Sequence, residues 1–87
     1  MPSPSHVLIT ATQLGSVLQA ARKAKGLTQS ALAGRIGLSQ SRVSYLELNA
    51  HELSVEQLLA WCGALGLELA IGTRGAPASS SAAQADW

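Results

Sequence analysis

Apolar residues recur three and four positions apart in four segments of the chain, and this spacing predicts four amphipathic helices. The first helix is predicted from residue 11 to about residue 25, and the last from residue 55 to about residue 65. A capping-box pattern precedes each of them, because Thr10 and Ser54 are followed three positions later by a glutamine. The predicted buried stripes are Leu14, Val17, Leu18 and Ala21 in the first helix, and Val55, Leu58, Leu59, Cys62 and Leu65 in the last.

Residues 27–48 predict two short helices joined by a tight turn. Thr28 and Ser39 are placed to cap the two N-termini. Gly37 can adopt the left-handed conformation that ends the first helix, and Leu38 then fills the turn. The predicted apolar faces are Leu32, Ala33 and Ile36 in the first helix, and Val43 and Leu46 in the second.

The second short helix keeps a polar face that is typical of contact with DNA. In a helix-turn-helix this helix lies in the major groove, while the first helix crosses the phosphate backbone. Predicted base contacts are Gln40, Ser41, Arg42, Ser44 and Tyr45. Predicted phosphate contacts are Gln29, Thr28, Ser39, Arg22, Lys23, Arg35 and Asn49, and Gln29 is also placed to brace Gln40. The competing interpretation of each is an ordinary solvated polar residue.

After Gly66 the hydrophobic period changes from helical to alternating. Leu67, Leu69 and Ile71 fall on one side of residues 67–72, which predicts a strand. A lone strand in a helical domain lacks a partner, unless residues 6–9 supply one, and the economical solution is pairing with the same strand of a second copy. We therefore predict a homodimer whose interface contains these three residues; the alternative is a short extended linker.

Length and composition predict one small domain with flexible ends. Its parts are an N-terminal arm (1–10), a helix-turn-helix domain (11–66), a dimerisation strand (67–73) and a tail (74–87). The tail is rich in Ala, Ser, Gly and Pro, which predicts disorder, and it ends at Trp87.

The net charge of +1 does not by itself predict a nucleic-acid partner, but the charges are segregated. Residues 22–42 contain five of the six basic residues and no acidic one, whereas residues 47–68 contain four of the five acidic residues and no Lys or Arg. This division suits a protein that faces a polyanion on one side and a different partner on the other. The competing interpretation is a solvated helix face.

The sequence offers little for catalysis, so we predict neither an enzyme nor a metal or other cofactor. His6 and His51 are far apart in predicted loops, and Cys62 lies on a predicted core stripe. The single cysteine excludes an internal disulfide, and no apolar run approaches a bilayer span. We expect a cytoplasmic, nucleoid-associated protein with no membrane contact.

Two segments resemble the phage-repressor (Xre/Cro) helix-turn-helix family. They are L-T-Q-x-x-L-A at residues 27–33 and G-L-S-Q-x-x-V-S-x-L-E at residues 37–47. The resemblance implies a mostly α, lambda-repressor-like bundle of four to five helices. It also implies DNA contacts at the family's matching positions, which are Gln29, Gln40, Ser41, Ser44 and Tyr45.

A narrower resemblance, to HipB-type antitoxins, covers most of the chain. It is carried by T-x-T-Q-L-G-x-x-x-x-x-x-R at residues 10–22, G-L-E-L-A-I at residues 66–71 and the terminal Trp87. It implies a dimer whose single C-terminal strands pair across the two-fold axis, which represses its own operon and restrains a HipA-type Ser/Thr kinase toxin. The tail and Trp87 would then serve proteolytic turnover.

The sequence departs from the family pattern at three positions. Ser39 stands where a basic residue is common, Arg42 where a small one is common, and Leu48 where a polar one is usual. The first two changes leave the operator sequence open, and the third makes Leu48 a candidate core or partner contact.

Three functions compete on this basis. The first is a dimeric antitoxin and autorepressor that binds palindromic double-stranded operator DNA and neutralises a HipA-like kinase. The second is a stand-alone phage-type repressor without a toxin partner. The third is a protein-interaction module that has lost DNA binding, which the near-neutral charge favours.

Overall fold

Four α-helices and one 3-10 turn form the regular structure of residues 7–73, the part of the chain that the computed structural model describes. The elements are α1 (Ala11–Ala24), α2 (Gln29–Ile36), α3 (Gln40–Leu48), the 3-10 turn (Ala50–Glu52) and α4 (Val55–Leu65). The predicted mostly helical architecture is confirmed. Within the same residues, no helix combines the length and the apolar character that crossing a bilayer requires.

The helices begin at the residues that the capping patterns predict. Both capping boxes are formed, with the Gln13 N–H donating to Thr10 Oγ1 at 3.2 Å and the Gln57 N–H donating to Ser54 Oγ at 3.0 Å. Thr28 and Ser39 cap α2 and α3 through their hydroxyl oxygens. These bonds satisfy backbone donors that have no partner inside a helix, so they place each N-terminus locally.

The turn between α2 and α3 depends on Gly37, which ends α2 in the left-handed conformation at φ 73°. The Leu38 N–H then donates to the Ala33 carbonyl at 3.0 Å. Leu38 is half-buried and packs against the core, as the sequence predicts. The chain reverses within a few residues, which sets α3 against α2 in helix-turn-helix geometry.

The core draws side chains from all four α-helices. Its buried members are Leu18, Leu32, Ala33, Val43, Leu46, Trp61 and Leu65. The predicted stripe of α4 is partly wrong, because Val55 is 69% exposed and Leu59 is 51% exposed. Trp61, which the predicted stripe omits, is fully buried instead. The bulky indole occupies the centre of the buried face, and α4 is rotated so that Val55 and Leu59 face solvent. Leu48 is 80% exposed and makes no core contact.

Residues 66–73 carry no strand within the described chain. Leu67 packs against the core, but Leu69 and Ile71 are exposed. A strand needs a partner for its hydrogen bonds, and the predicted partner is a second copy, so pairing across a dimer stays a prediction. Residues 7–9 also lack regular structure, while His6, the tail and Trp87 lie outside the described residues.

Candidate nucleic-acid interface

Helix α3 presents the predicted base-reading side chains because its opposite face is anchored in the core. Val43 and Leu46 are fully buried, which fixes the rotation of the helix about its axis. Four of the five predicted base contacts are then exposed, and Ser44 is half-buried. The exposed four are Gln40, Ser41, Arg42 and Tyr45. This polar surface starts at the N-terminus of α3, the part of a recognition helix that enters the major groove.

A pair of glutamines links α2 to α3. Gln40 Nε2 donates to Gln29 Oε1 at 2.7 Å, which is the brace that the sequence predicts. The bond uses one of the two N–H groups of the Gln40 amide. The second N–H and the carbonyl oxygen are the two atoms with which a glutamine pairs to adenine. The brace therefore orients Gln40 without occupying the atoms that it needs for a base.

Behind this pair lies a buried ion pair between α1 and α3. Arg22 Nε donates to Glu47 Oε2 at 2.6 Å, and Arg22 Nη1 donates to the Leu27 carbonyl at 2.8 Å. The two side chains are only 8% and 1% exposed. The sequence predicts a phosphate contact for Arg22, and this prediction is wrong because its guanidinium is bonded inside the domain.

Glu47 also belongs to the interior rather than to the acidic half of the surface. Gln29 Nε2 donates to Glu47 Oε1 at 3.1 Å. Four side chains thus form one continuous network from α1 to the start of α3, in the order Arg22, Glu47, Gln29, Gln40. The Arg22–Glu47 end of the network is buried and the Gln40 end is exposed, so the network ties Gln40 to a fixed point in the interior.

Arg22 and Glu47 are buried, but the other charged residues are still segregated at the surface. The exposed basic residues of segment 22–42 are Lys23, Lys25, Arg35 and Arg42, and the exposed acidic residues of segment 47–68 are Glu52, Glu56 and Glu68. The six remaining predicted phosphate contacts all reach the surface fully or in part: Gln29, Thr28, Ser39, Lys23, Arg35 and Asn49. Asn49 is half-buried and donates from Nδ2 to the Tyr45 carbonyl at 2.9 Å.

Glu52, in the 3-10 turn, joins the site although the sequence does not predict it. The Tyr45 hydroxyl donates to Glu52 Oε2, and His51 Nε2 lies 3.7 Å from the same oxygen. The guanidinium of Arg42 lies over the Tyr45 ring, 5.4 Å from its centroid. Tyr45 and Glu52 are seven positions apart, but α3 ends at Leu48, between them. The helical period therefore does not apply across this separation, and the contact depends on the fold of the 3-10 turn.

The carboxylate of Glu52 raises the pKa of Tyr45, because it accepts the hydrogen bond of the neutral phenol and repels the phenolate. Arg42 acts in the opposite direction, but more weakly. Burial raises the pKa of the Cys62 thiol, which favours the unreactive thiol form. Among the described residues, no cluster of His, Cys, Asp and Glu side chains could hold a metal ion.

The sequence matches the model of a helix-turn-helix family, HTH_3, over residues 18–71. Among solved structures, the chain is similar to one described as the HipA-HipB-O2-O3 complex, with a TM-score of 0.74 and 26% identity over 80% of this chain and 99% of that one. It is also similar to a HipB-O1-O2 complex, with a TM-score of 0.72 and 26% identity over 79% of this chain and 100% of that one. A third similar structure is a HipB-O4 20mer complex, with a TM-score of 0.73 and 26% identity over 80% of this chain and 99% of that one. Among curated proteins, none matches the chain.

Proposed function

The chain belongs to the helix-turn-helix family, and from this premise we propose that it is a sequence-specific DNA-binding antitoxin and transcriptional autorepressor. It binds a palindromic operator as a dimer and neutralises a HipA-like Ser/Thr kinase. The observation that carries the DNA-binding part is the exposed, braced Gln40 at the start of a helix whose other face is locked into the core. The likeness to HipB in complexes with HipA and with O1 to O4, which we interpret as operator DNA, supports the antitoxin part.

In the proposed complex, α3 lies in the major groove and α2 crosses the phosphate backbone. Gln40 pairs in two-point fashion with an adenine, and Arg42 with guanine O6 and N7 or with a phosphate. The exposed Lys23 and Arg35 add contacts to phosphate, so affinity falls steeply as salt rises and counterions compete. A dimer of this kind reads two half-sites about one helical turn apart, roughly 34 Å.

Replacing Gln40 by alanine is expected to weaken binding to the preferred operator by about 10- to 100-fold, which corresponds to the loss of one two-point base contact. Binding to random duplex should change by less than twofold, because that binding rests on phosphates. Fluorescence anisotropy with the chain's own upstream region and with a random duplex measures both.

Gln19→Ala, which removes a glutamine of α1 outside the network, is the matched control and should leave both affinities unchanged. Equal losses on the two duplexes in Gln40→Ala would contradict a base-reading role. If the unmodified protein does not prefer its upstream region at low salt, the interaction-module alternative gains support.

Replacing Leu69 by proline is expected to convert the dimer to a monomer, because proline lacks the N–H that an intersubunit ladder needs. Sedimentation velocity measures the change. Leu69→Ala, which keeps the backbone donor, is the control and should retain much of the dimer. A Leu69→Pro variant that still sediments as a dimer would place the interface elsewhere than at Leu67, Leu69 and Ile71.

The kinase partner separates the proposed antitoxin from the stand-alone repressor. An adjacent reading frame that encodes a HipA-like kinase, together with co-purification of the two proteins, would support the antitoxin. A repressor that purifies alone from cells expressing that neighbour would support the alternative. Trp87 is proposed to take part in turnover of the antitoxin.

A further inference from the structure

Three side chains connect the exposed face of α3 to the 3-10 turn that follows it. Arg42 and Tyr45 are three positions apart, so they share one face of the helix. The guanidinium stacks over the phenol ring, 5.4 Å from its centroid, and the phenol hydroxyl donates to Glu52. None of the three side chains belongs to the Arg22–Glu47–Gln29–Gln40 network, so they form a second, separate support for the proposed DNA-facing surface.

We propose that Glu52 is a specificity-determining positioning residue, which holds Tyr45, and through its ring Arg42, in the orientation that reads base edges. This inference rests on the proposed DNA-binding function. Glu52 itself contacts neither base nor phosphate.

Arg42 is flexible when nothing holds it. An exposed arginine on a helix samples many rotamers, and each base contact that it makes requires most of them to be given up. A ring fixed at both ends, by its backbone and by its hydroxyl, offers the guanidinium a constant surface. Tyr45 can act in this way only while its hydroxyl is anchored, and the anchor is the Glu52 carboxylate.

Glu52 also brings a negative charge close to the proposed DNA-facing helix. A carboxylate beside a DNA-facing helix repels phosphates, so it weakens binding to every duplex whatever its sequence. The carboxylate accepts the hydrogen bond of Tyr45, and His51 Nε2 lies 3.7 Å from it. Arg42 lies over the Tyr45 ring. A residue that lowers non-specific affinity while ordering the base-reading side chains widens the gap between the right and the wrong sequence.

Glu52→Ala in the full-length chain is expected to lower the ratio of operator to random-duplex affinity by about tenfold, near the low end for one good base contact. Random-duplex affinity should rise severalfold in both Glu52→Ala and Glu52→Gln, because each variant removes the repelling charge. Tyr45→Phe should lower the ratio similarly without raising random-duplex affinity. Glu56→Gln makes the same charge change on α4, at an exposed site, and should move the ratio by less than twofold.

A loss of folding would weaken binding to both duplexes. A fall in operator affinity together with a rise in random-duplex affinity therefore separates positioning from a merely structural role. If the unmodified protein discriminates between the duplexes but Glu52→Ala retains its ratio within twofold, the inference is overturned. If the unmodified protein does not discriminate, the proposed function itself fails.

Tyr45 is the single tyrosine of the chain, so its ionisation can be followed by tyrosinate absorbance without DNA. Glu52→Gln should lower the pKa of Tyr45 toward its ordinary value, because the carboxylate that favours the neutral phenol is gone. An unchanged pKa would show that the hydrogen bond does not persist in solution, and would overturn the inference independently of any DNA measurement.

Discussion

Replacing Glu47 by alanine is expected to lower the free energy of unfolding by about 3–5 kcal/mol, the usual cost of removing one partner of a buried ion pair. The Arg22 side chain is 8% exposed, so its guanidinium would stay buried. Without Glu47, the Leu27 carbonyl is the one hydrogen-bond acceptor that it would keep. Small domains are commonly stable by roughly 5–15 kcal/mol, so the variant should lose a large part of its margin. The midpoint of urea unfolding, with an unchanged slope, measures the loss.

Two controls identify the cause of that loss. Glu56→Ala removes an exposed carboxylate and should stay within about 0.5 kcal/mol of the unmodified protein. The double variant Arg22→Met with Glu47→Leu leaves no buried charge, so it should be considerably more stable than Glu47→Ala alone. A Glu47→Ala variant that loses less than about 1 kcal/mol would contradict a desolvated ion pair.

Glu47→Ala should also alter the surface that is proposed to face DNA. The Glu47 carboxylate accepts a hydrogen bond from the Gln29 amide N–H, and the Gln29 amide oxygen accepts one from the Gln40 amide N–H. One carboxylate therefore joins the stability of the α1–α3 contact to the orientation of Gln40, the proposed base-reading side chain. This dual role accounts for an acidic residue on the buried side of the proposed recognition helix.

Local features of the fold could be predicted from the sequence because their causes are local. A threonine or serine three positions before a glutamine forms a capping box by itself, as Thr10 and Ser54 do. Gly37 takes the left-handed conformation because few other residues do so readily. The hydrogen bond between Gln29 and Gln40 could be predicted because the turn that joins their helices is short.

The remaining features depend on tertiary contacts that no spacing encodes. Arg22 and Glu47 are 25 positions apart, and an arginine in a basic segment looks like a phosphate ligand until its partner is known. The rotation of α4 was ambiguous because Val55, Leu58, Leu59, Trp61 and Leu65 offer two overlapping apolar faces. Packing of the large Trp61 indole selects one of them.

Replacing Gly15 by alanine is expected to destabilise the domain by about 1–3 kcal/mol, although the same change inside a helix normally stabilises it. Gly15 is buried where α1 crosses the C-terminal end of α3. A Cβ added there would lie inside van der Waals distance of the Glu47 carbonyl oxygen and 3.6 Å from the Ala50 Cβ. The obstacle is backbone, so the two helices must separate and disturb the residue that holds Arg22. Urea unfolding measures the loss.

Gly34 and Gly63 supply matched controls, because each lies within a helix and an added Cβ meets nothing within 4 Å at either position. Gly34→Ala and Gly63→Ala should each raise the free energy of unfolding by roughly 0.5–1 kcal/mol, the ordinary helix preference for alanine. The same glycine-to-alanine change is thus expected to lower the free energy of unfolding at Gly15 and to raise it at Gly34 and Gly63. A Gly15→Ala variant as stable as these two would show that α1 and α3 do not approach closely, and the ion pair between them would then lack its scaffold.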